Sequence, residues 1–293
     1  MKLIITVLLL LNISYAATEI VKIGVLAKRG SAITMRKWSP TADYLSMRIM
    51  EKKFQIVPIK FDEILSAVKN KEIDFILTNP GFYVTLEQVS GVERIATLVN
   101  KHIYGSPQTE FGGVIFTLDS KKDRFNTLKS LVDAKVSAVD EQSLGGWQVV
   151  WRELIDNGID VKDLESLKFR GTHDKVVYAV LQENADVGVV RTDTLERMGM
   201  EGMIDLKRFH VINMQKHEGF PFLSSTRLYP EWPFAKLKHT DAILAKRVAI
   251  ALLQISPSEK AARKANIHGW VTPLNYQSVH DCFKAIKVAP YDK

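Results

Sequence analysis

The stretch Ile73-Asp-Phe-Ile-Leu-Thr-Asn79-Pro80-Gly81-Phe82-Tyr83-Val84 decides the fold class. Ile73 to Thr78 reads as a short buried strand, Asn79-Pro80-Gly81 breaks it, and Phe82 to Val89 reads as the helix that follows. Upstream, Ile20 to Leu26 reads as another buried strand. A loop is expected from Ala27 to Ser39, then a helix from Pro40-Thr41, where Ala42, Leu45 and Ile49 recur at helical spacing. Phe54 to Ile59 reads as a strand, and Asp62 to Asn70 as a helix with Ile64, Leu65 and Val68 on one face. Short apolar strands alternating with amphipathic helices imply βαβ units and a parallel sheet.

The rhythm returns downstream. Lys135 to Val139 reads as a strand, and Leu144-Gly145-Gly146 opens a helix to about Asn157. A strand at Leu167 to Phe169 precedes a helix carrying Val176, Val177, Val180 and Leu181; a strand at Asp186 to Val190 precedes a short helix after Arg191-Thr192-Asp193. Phe209 to Met214 closes the block. Glu218 to Phe234, rich in proline and aromatics and without periodicity, reads as a long structured connection. Three helices finish the chain: Asp241 to Ile255, Pro257 to Ala265 and Tyr276 to Ile286. The expectation is two α/β lobes with a ligand cleft between them, one formed by 17–112 plus 222–293 and the other by 113–221. The chain should cross near Gly112-Gly113 and near Phe220-Pro221.

Composition narrows the function. Hydrophobic residues make up 46% of the 293 and charged residues 25%, which excludes disordered and fibrous classes. The formal charge is +7, but basic runs such as Lys121-Lys122-Asp123-Arg124 are broken by acids, so no nucleic-acid partner is expected. Lys2, the apolar run Leu3 to Ile13 and Ser14-Tyr15-Ala16 have the layout of a secretory signal peptide over 1–16, expected to be cleaved after Ala16, with an uncleaved signal serving as a single membrane anchor as the alternative. An exported protein with its single cysteine at Cys282 forms no internal disulfide.

Open α/β sheets bind ligands beyond the carboxyl ends of their strands. Four junctions qualify: Asn79 to Tyr83, Ser143 to Gly146, Gly171 to Asp174, and Arg191 to Asp193. A helix start such as Ser143-Leu144-Gly145-Gly146 presents free N–H groups and a positive dipole end to an anion. Each residue also has a structural reading. Ser143 serves equally as an N-cap, His173 as a structural histidine, Arg191 as a surface partner of Glu196 or Asp193, and Tyr83 and Trp38 as core or rim aromatics. Catalysis is poorly supported. Ser143, His173 and Asp193 follow a nucleophile order, but Glu141 stands where a nucleophile elbow needs glycine, and His217-Glu218 lacks the second zinc histidine. No phosphate-binding or dinucleotide-binding glycine motif is present, so the expectation is a binding protein without enzymatic activity or cofactor.

Thr78-Asn-Pro-Gly-Phe-Tyr-Val84, Ser143-Leu-Gly-Gly146, Gly171-Thr-His-Asp174 and Asp186-Val-Gly-Val-Val-Arg-Thr-Asp-Thr-Leu-Glu196 resemble the phosphate/phosphite/phosphonate periplasmic binding protein family. A narrower resemblance lies in Phe220-Pro-Phe222, Ser225-Thr-Arg-Leu-Tyr-Pro-Glu-Trp-Pro-Phe-Ala235 and His268-Gly-Trp-Val-Thr-Pro273, which look like periplasmic sensing modules of the tetrathionate-sensor and arsenate- or arsenite-binding kind. The resemblance implies a type II binding-protein fold closing on an anion. By position it implies Tyr83, Ser143 and His173 as ligand contacts, with Asp193 near a family acid. Leu144 stands where phosphonate binders usually place a second hydroxyl, and Arg191 where they tend to be uncharged. Cys282 lies in the final helix, away from any thiolate arsenite site. The expected ligand set is Trp38, Asn79, Tyr83, Ser143, Leu144, Gly145, Thr172, His173, Arg191 and Asp193, with His173 as an imidazolium. The resulting expectation is a monomeric periplasmic protein that captures arsenate, phosphate or a sulfur oxyanion and signals to a membrane sensor histidine kinase. An importer component delivering to an ABC permease and, more remotely, a Ser/His hydrolase are the alternatives.

Overall fold

The chain was described from a computed structural model over residues 19–101 and 107–292. The expected leader, 1–16, lies outside the described residues. β1 (Glu19–Leu26) pairs in parallel with β2 (Lys52–Ile59) on one side and β3 (Phe75–Leu77) on the other. Ile23, Gly24, Val25 and Leu26 are buried in succession, as a strand covered on both faces requires. α1 (Ser31–Arg48) joins β1 to β2, α2 (Ile64–Lys69) joins β2 to β3, and α3 (Pro80–Ser90) follows β3.

α1 corrects the reading of Ala27 to Ser39 as a loop. The helix starts at Ser31 and passes straight through Pro40. Proline there removes one backbone hydrogen bond. Thr34, Trp38, Thr41 and Leu45 nonetheless form one buried stripe on both sides of it, and their packing carries the helix through the break.

The first sheet is mixed, not parallel as expected. β4 (Glu93–Asn100), β12 (Pro233–Lys236) and β13 (Ile267–Val271) complete the order β13-β4-β12-β3-β1-β2. β12 runs antiparallel between β3 and β4. It arises from the segment read as an aperiodic connection, because that chain re-enters the first sheet from the opposite end.

The second sheet has the order β10-β6-β9-β7-β8: β6 (Gly113–Leu118), β7 (Lys135–Ala138), β8 (Ser166–Phe169), β9 (Val187–Arg191) and β10 (Phe209–Ile212). Its β7–β8 and β7–β9 pairs are parallel, whereas β6 is antiparallel to β9 and β10. A single π-helical turn at Leu144–Gln148 leads into α4 (Val149–Asp156); α5 (His173–Leu181) precedes β9, and α6 (Thr194–Met200) follows it.

The two crossing segments pair with each other. β5 (Glu110–Phe111) and β11 (Tyr229–Pro230) form an antiparallel two-stranded ribbon between the sheets. Ser225 is still bonded to β6, its N–H donating to the Gly113 carbonyl (2.8 Å) and its Oγ accepting from the Ile115 N–H (2.9 Å). The return crossing therefore follows Ser225, later in the chain than Phe220-Pro221. α7 (Ala242–Leu253) and α8 (Lys260–Ala265) cover the first sheet, with Leu244, Val248, Leu252 and Ile255 buried as their spacing predicts. α9 (Gln277–Ile286) packs against both α3 and α4, so the last helix touches both lobes. No described helix is long and apolar enough to cross a membrane.

Candidate functional site

The cleft lies where the carboxyl ends of β1, β4 and β9 face one another across the two lobes. It has two connected chambers. The smaller is lined by Asn79, Ser143, Leu144 and Gly145; the larger by Trp38, Lys37, Asn100 and Asp193. Leu26, Lys28, His173, Arg191 and Trp232 line both.

The smaller chamber is built around the start of the Ser143 helix. Ser143 is buried and holds the N-cap position, yet its side chain makes no capping hydrogen bond. Its hydroxyl is thus available to the chamber, as are first-turn N–H groups that have no acceptor within the helix. Gly145 permits the close approach of this turn to β9. A Cβ there would lie 2.8 Å from the Phe111 ring and 3.1 Å from Arg191 Cβ.

His173 opens α5 with its ring buried, and its Nδ1 accepts the backbone N–H of Arg191 at 3.3 Å. The ring proton therefore resides on Nε2. Burial, with Lys28 and Arg191 adding to it, holds the imidazole pKa well below its usual value. This corrects the expected imidazolium: His173 is a neutral N–H donor.

Arg191 ends β9 with its side chain committed. Nη2 is ion-paired to Glu231, Nη1 lies 3.7 Å from Asp193, and the guanidinium stacks over Phe111 at 4.5 Å. Nε is buried without a hydrogen-bond partner among the described residues. Asp193 takes a left-handed conformation (φ 72°) at the N-cap of α6 and accepts from Asn100 Nδ2 at 3.1 Å across the cleft. Burial works to raise its pKa, but Arg191 and Lys28 outweigh burial and hold it below the ordinary carboxylate value.

Three of the other expected contacts are placed elsewhere or spent. Tyr83 is fully buried and lines neither chamber. Its hydroxyl donates to Glu87 (2.5 Å) and accepts from Arg94 (2.9 Å), and its ring packs on Tyr276 at 5.1 Å. It faces away because it lies one turn into α3, on the side turned to the core. Thr172 also lines neither chamber; its hydroxyl caps α5 by accepting from the Lys175 N–H. Asn79 lines the smaller chamber, but its Oδ1 caps α3 by accepting from the Phe82 N–H, and its Nδ2 reaches the Gln142 carbonyl of the other lobe at 3.3 Å. Trp38 lines the larger chamber, its ring tilted on Trp270. Leu144, Gly145, Ser143, His173, Arg191 and Asp193 do meet at the cleft.

Lys28, Lys37, Glu231 and Trp232 line the cleft and were absent from the expected set. Lys28 lies just past the end of β1, the same kind of junction that flagged the others. Glu231 sits in the Tyr-Pro-Glu-Trp-Pro run, where an acid amid apolar residues is itself a signal. Burial and Arg191 push Lys28 down to about 7. Burial, reinforced by Arg191 against the pull of Asp193, pushes Lys37 to about 8. At the rim, Arg29 after β1 bonds Asp174 of α5 at 2.7 Å, and Arg197 shares the same carboxylate at 3.1 Å. With Asn79–Gln142 and Asn100–Asp193, this bridge holds the lobes together around the cleft.

Comparison with known proteins agrees with the architecture. Residues 23–277 match the family described as the periplasmic substrate-binding protein of phosphonate ABC transporters. The tetrathionate sensor histidine kinase TtrS of Salmonella typhimurium is 29% identical over 272 residues, 92% of this chain and 44% of the kinase; the chain thus spans less than half that relative's length. XAC2383 from Xanthomonas citri, solved bound to ATP, superposes with a TM-score of 0.73 at 15% identity, covering 92% of this chain and 97% of that one. PhnD1 from Prochlorococcus marinus, solved with methylphosphonate, gives 0.71 at 14% identity, covering 92% and 98%. These structures share the two-lobed type II periplasmic binding-protein fold. The chain belongs to the phosphonate-type periplasmic substrate-binding protein family.

Proposed function

We propose that this protein is an exported, periplasmic solute-binding protein that captures an oxyanion (arsenate, phosphate or a sulfur oxyanion) and signals its presence to a membrane sensor histidine kinase. The observation that carries the anion reading is the cleft's charge: Lys28, Arg29, Lys37, Arg191 and Arg197 line the larger chamber against the carboxylates of Asp193 and Glu231. Asp174 and Glu201 pair Arg29 and Arg197 at the rim, and the positive excess that remains lies beside the Ser143 helix start and the His173 Nε2–H, donors suited to oxyanion oxygens. The sensing role rests on the relationship to the tetrathionate sensor kinase. Lobe closure around the anion, with the lobes divided at the Gly112-Gly113 crossing and at the return crossing after Ser225, is the proposed signal. Delivery to an ABC permease is the second reading, favoured by the family description. A hydrolase is disfavoured by the histidine itself. With Nδ1 accepting a backbone N–H, Nε2 carries the proton and is not poised as a base toward Ser143.

A thermal-shift panel of phosphate, arsenate, sulfate, tetrathionate and methylphosphonate, with sugars and amino acids as controls, tests the anion reading. A ligand that binds only the folded state raises the melting temperature by mass action. Stabilisation by a sugar or amino acid with none by any oxyanion would overturn it. Capture of a kinase periplasmic domain by the liganded but not the empty protein separates sensor from importer.

A further inference from the structure

The cations of the cleft differ in one respect. Arg191 faces Glu231 and Asp193, and Arg29 and Arg197 share Asp174 and Glu201. Lys28 and Lys37 have no such partner: among the described residues, no carboxylate oxygen lies within the 4.0 Å that defines an ion pair of either ammonium. Each lies over a tryptophan instead, Lys28 Nζ 5.0 Å from the Trp232 ring and Lys37 Nζ 5.3 Å from that of Trp38. Lys28 lines both chambers, beside His173 and the Ser143 helix start.

We propose that Lys28 and Lys37, rather than Arg191, contact the bound anion, and that binding draws a proton onto Lys28. The inference rests on the anion reading above and assigns its charged contacts. A guanidinium already neutralised by buried carboxylates gains little from a further anion, and leaving Glu231 unpaired would cost more. An unpaired ammonium gains the full attraction. Lys28 faces Arg191 from β9, Asp193 from the start of α6, Lys37 from α1, His173 from α5 and Glu231 from the segment before β12. Lys37 faces Asp193, Arg191, Glu231 and Arg197. In the empty cleft, burial and the neighbouring cations hold Lys28 partly neutral at neutral pH, at about 7. An anion placed against it favours the charged form, so binding takes up a proton wherever Lys28 starts neutral. Affinity should accordingly fall as pH rises through that region.

The test is titration calorimetry of the mature chain with sulfate and tetrathionate, whose charges do not change across the range. It is run near pH 6 and near pH 8, each in two buffers of different ionisation enthalpy. Proton uptake is expected near pH 8 and little near pH 6. Lys28→Met and Lys37→Met should each weaken binding about 10- to 100-fold. Lys28→Arg should bind with clearly less proton uptake near pH 8 than wild type, what remains coming from Lys37 at about 8, and it guards against a methionine variant that fails to fold. Tight binding by both methionine variants, or wild-type binding without proton uptake near pH 8, would overturn the inference while leaving the anion reading standing. Failure of every oxyanion in the panel to bind wild type would remove the anion reading, and this inference with it.

Discussion

The backbone N–H of Arg191 donates to Nδ1 of His173 at 3.3 Å, so one hydrogen bond joins the end of β9 to the start of α5 and sets the tautomer of the cleft's histidine. Burial and the surrounding cations keep this ring neutral. The unfolded chain binds a proton near the usual histidine pKa, whereas the folded one does not. The stability contributed by the depressed pKa is therefore present above about pH 6.5 and is lost as pH falls through the folded pKa. In NMR titration, the His173 ring should keep its Nε2–H tautomer from about pH 6 to pH 8. His173→Ala should weaken oxyanion binding as the loss of a neutral donor does, about 0.5–1.5 kcal/mol, and Ser143→Ala by a similar amount. A charged ring at neutral pH would contradict this account.

Glu231 supports Arg191 rather than the ligand. Its side chain is 1% exposed, and the pair ties the crossing segment to β9. Glu231→Ala leaves a buried guanidinium with only the more distant Asp193, and should destabilise the fold by about 3–5 kcal/mol in denaturant titration. Glu231→Gln, which keeps an acceptor, should cost less. Equal stability of all three proteins would mean the pair contributes nothing.

Removal of the Lys28 charge should separate stability from binding. A cation with a depressed pKa disfavours the folded state below its unfolded pKa, so Lys28→Met should melt higher than wild type when empty, with the difference growing as pH falls toward about 7. Scanning calorimetry of the empty proteins at several pH values checks this. A lower melting point throughout would show that the ammonium is well accommodated.

Cys282 is fully buried in α9, with Sγ 3.8 Å from the Gln148 carbonyl, and burial pushes its thiol up to about 12. The native protein should resist thiol reagents until unfolded, and Cys282→Ser should leave oxyanion affinity unchanged. Rapid native labelling, or a large affinity loss, would point to a thiolate at the site.

Gly146 packs against β7's end so closely that a Cβ would lie 2.4 Å from Val139 Cγ2 and 2.7 Å from Ser143 Oγ. Gly146→Ala should cost about 1–3 kcal/mol of stability by overpacking and displace the Ser143 hydroxyl. A loss of oxyanion affinity beyond that of Ser143→Ala would show that the whole turn had moved.

Local pattern alone was enough for the alternation of strands and helices around Asn79 and Ser143. Apolar periodicity and turn residues act within a few positions of themselves, and they placed Ser143, Gly145, His173, Arg191 and Asp193 at the ends of strands. Tertiary packing decided the rest. α1 runs through Pro40 because Thr34 and Trp38 share a buried face with Leu45, a fact of the sheet beneath rather than of the helix. β12 became a strand because β3 and β4 offered edges to a segment with no periodicity of its own. Tyr83 turned inward to Arg94 and Tyr276 although its position in the chain matched that of a ligand contact. Charge was the least legible. An arginine in a sequence carries one charge whatever surrounds it, and only the fold sets Arg191 against Glu231 while leaving Lys28 and Lys37 without a carboxylate partner among the described residues, because ion pairing depends on distances between residues remote in sequence.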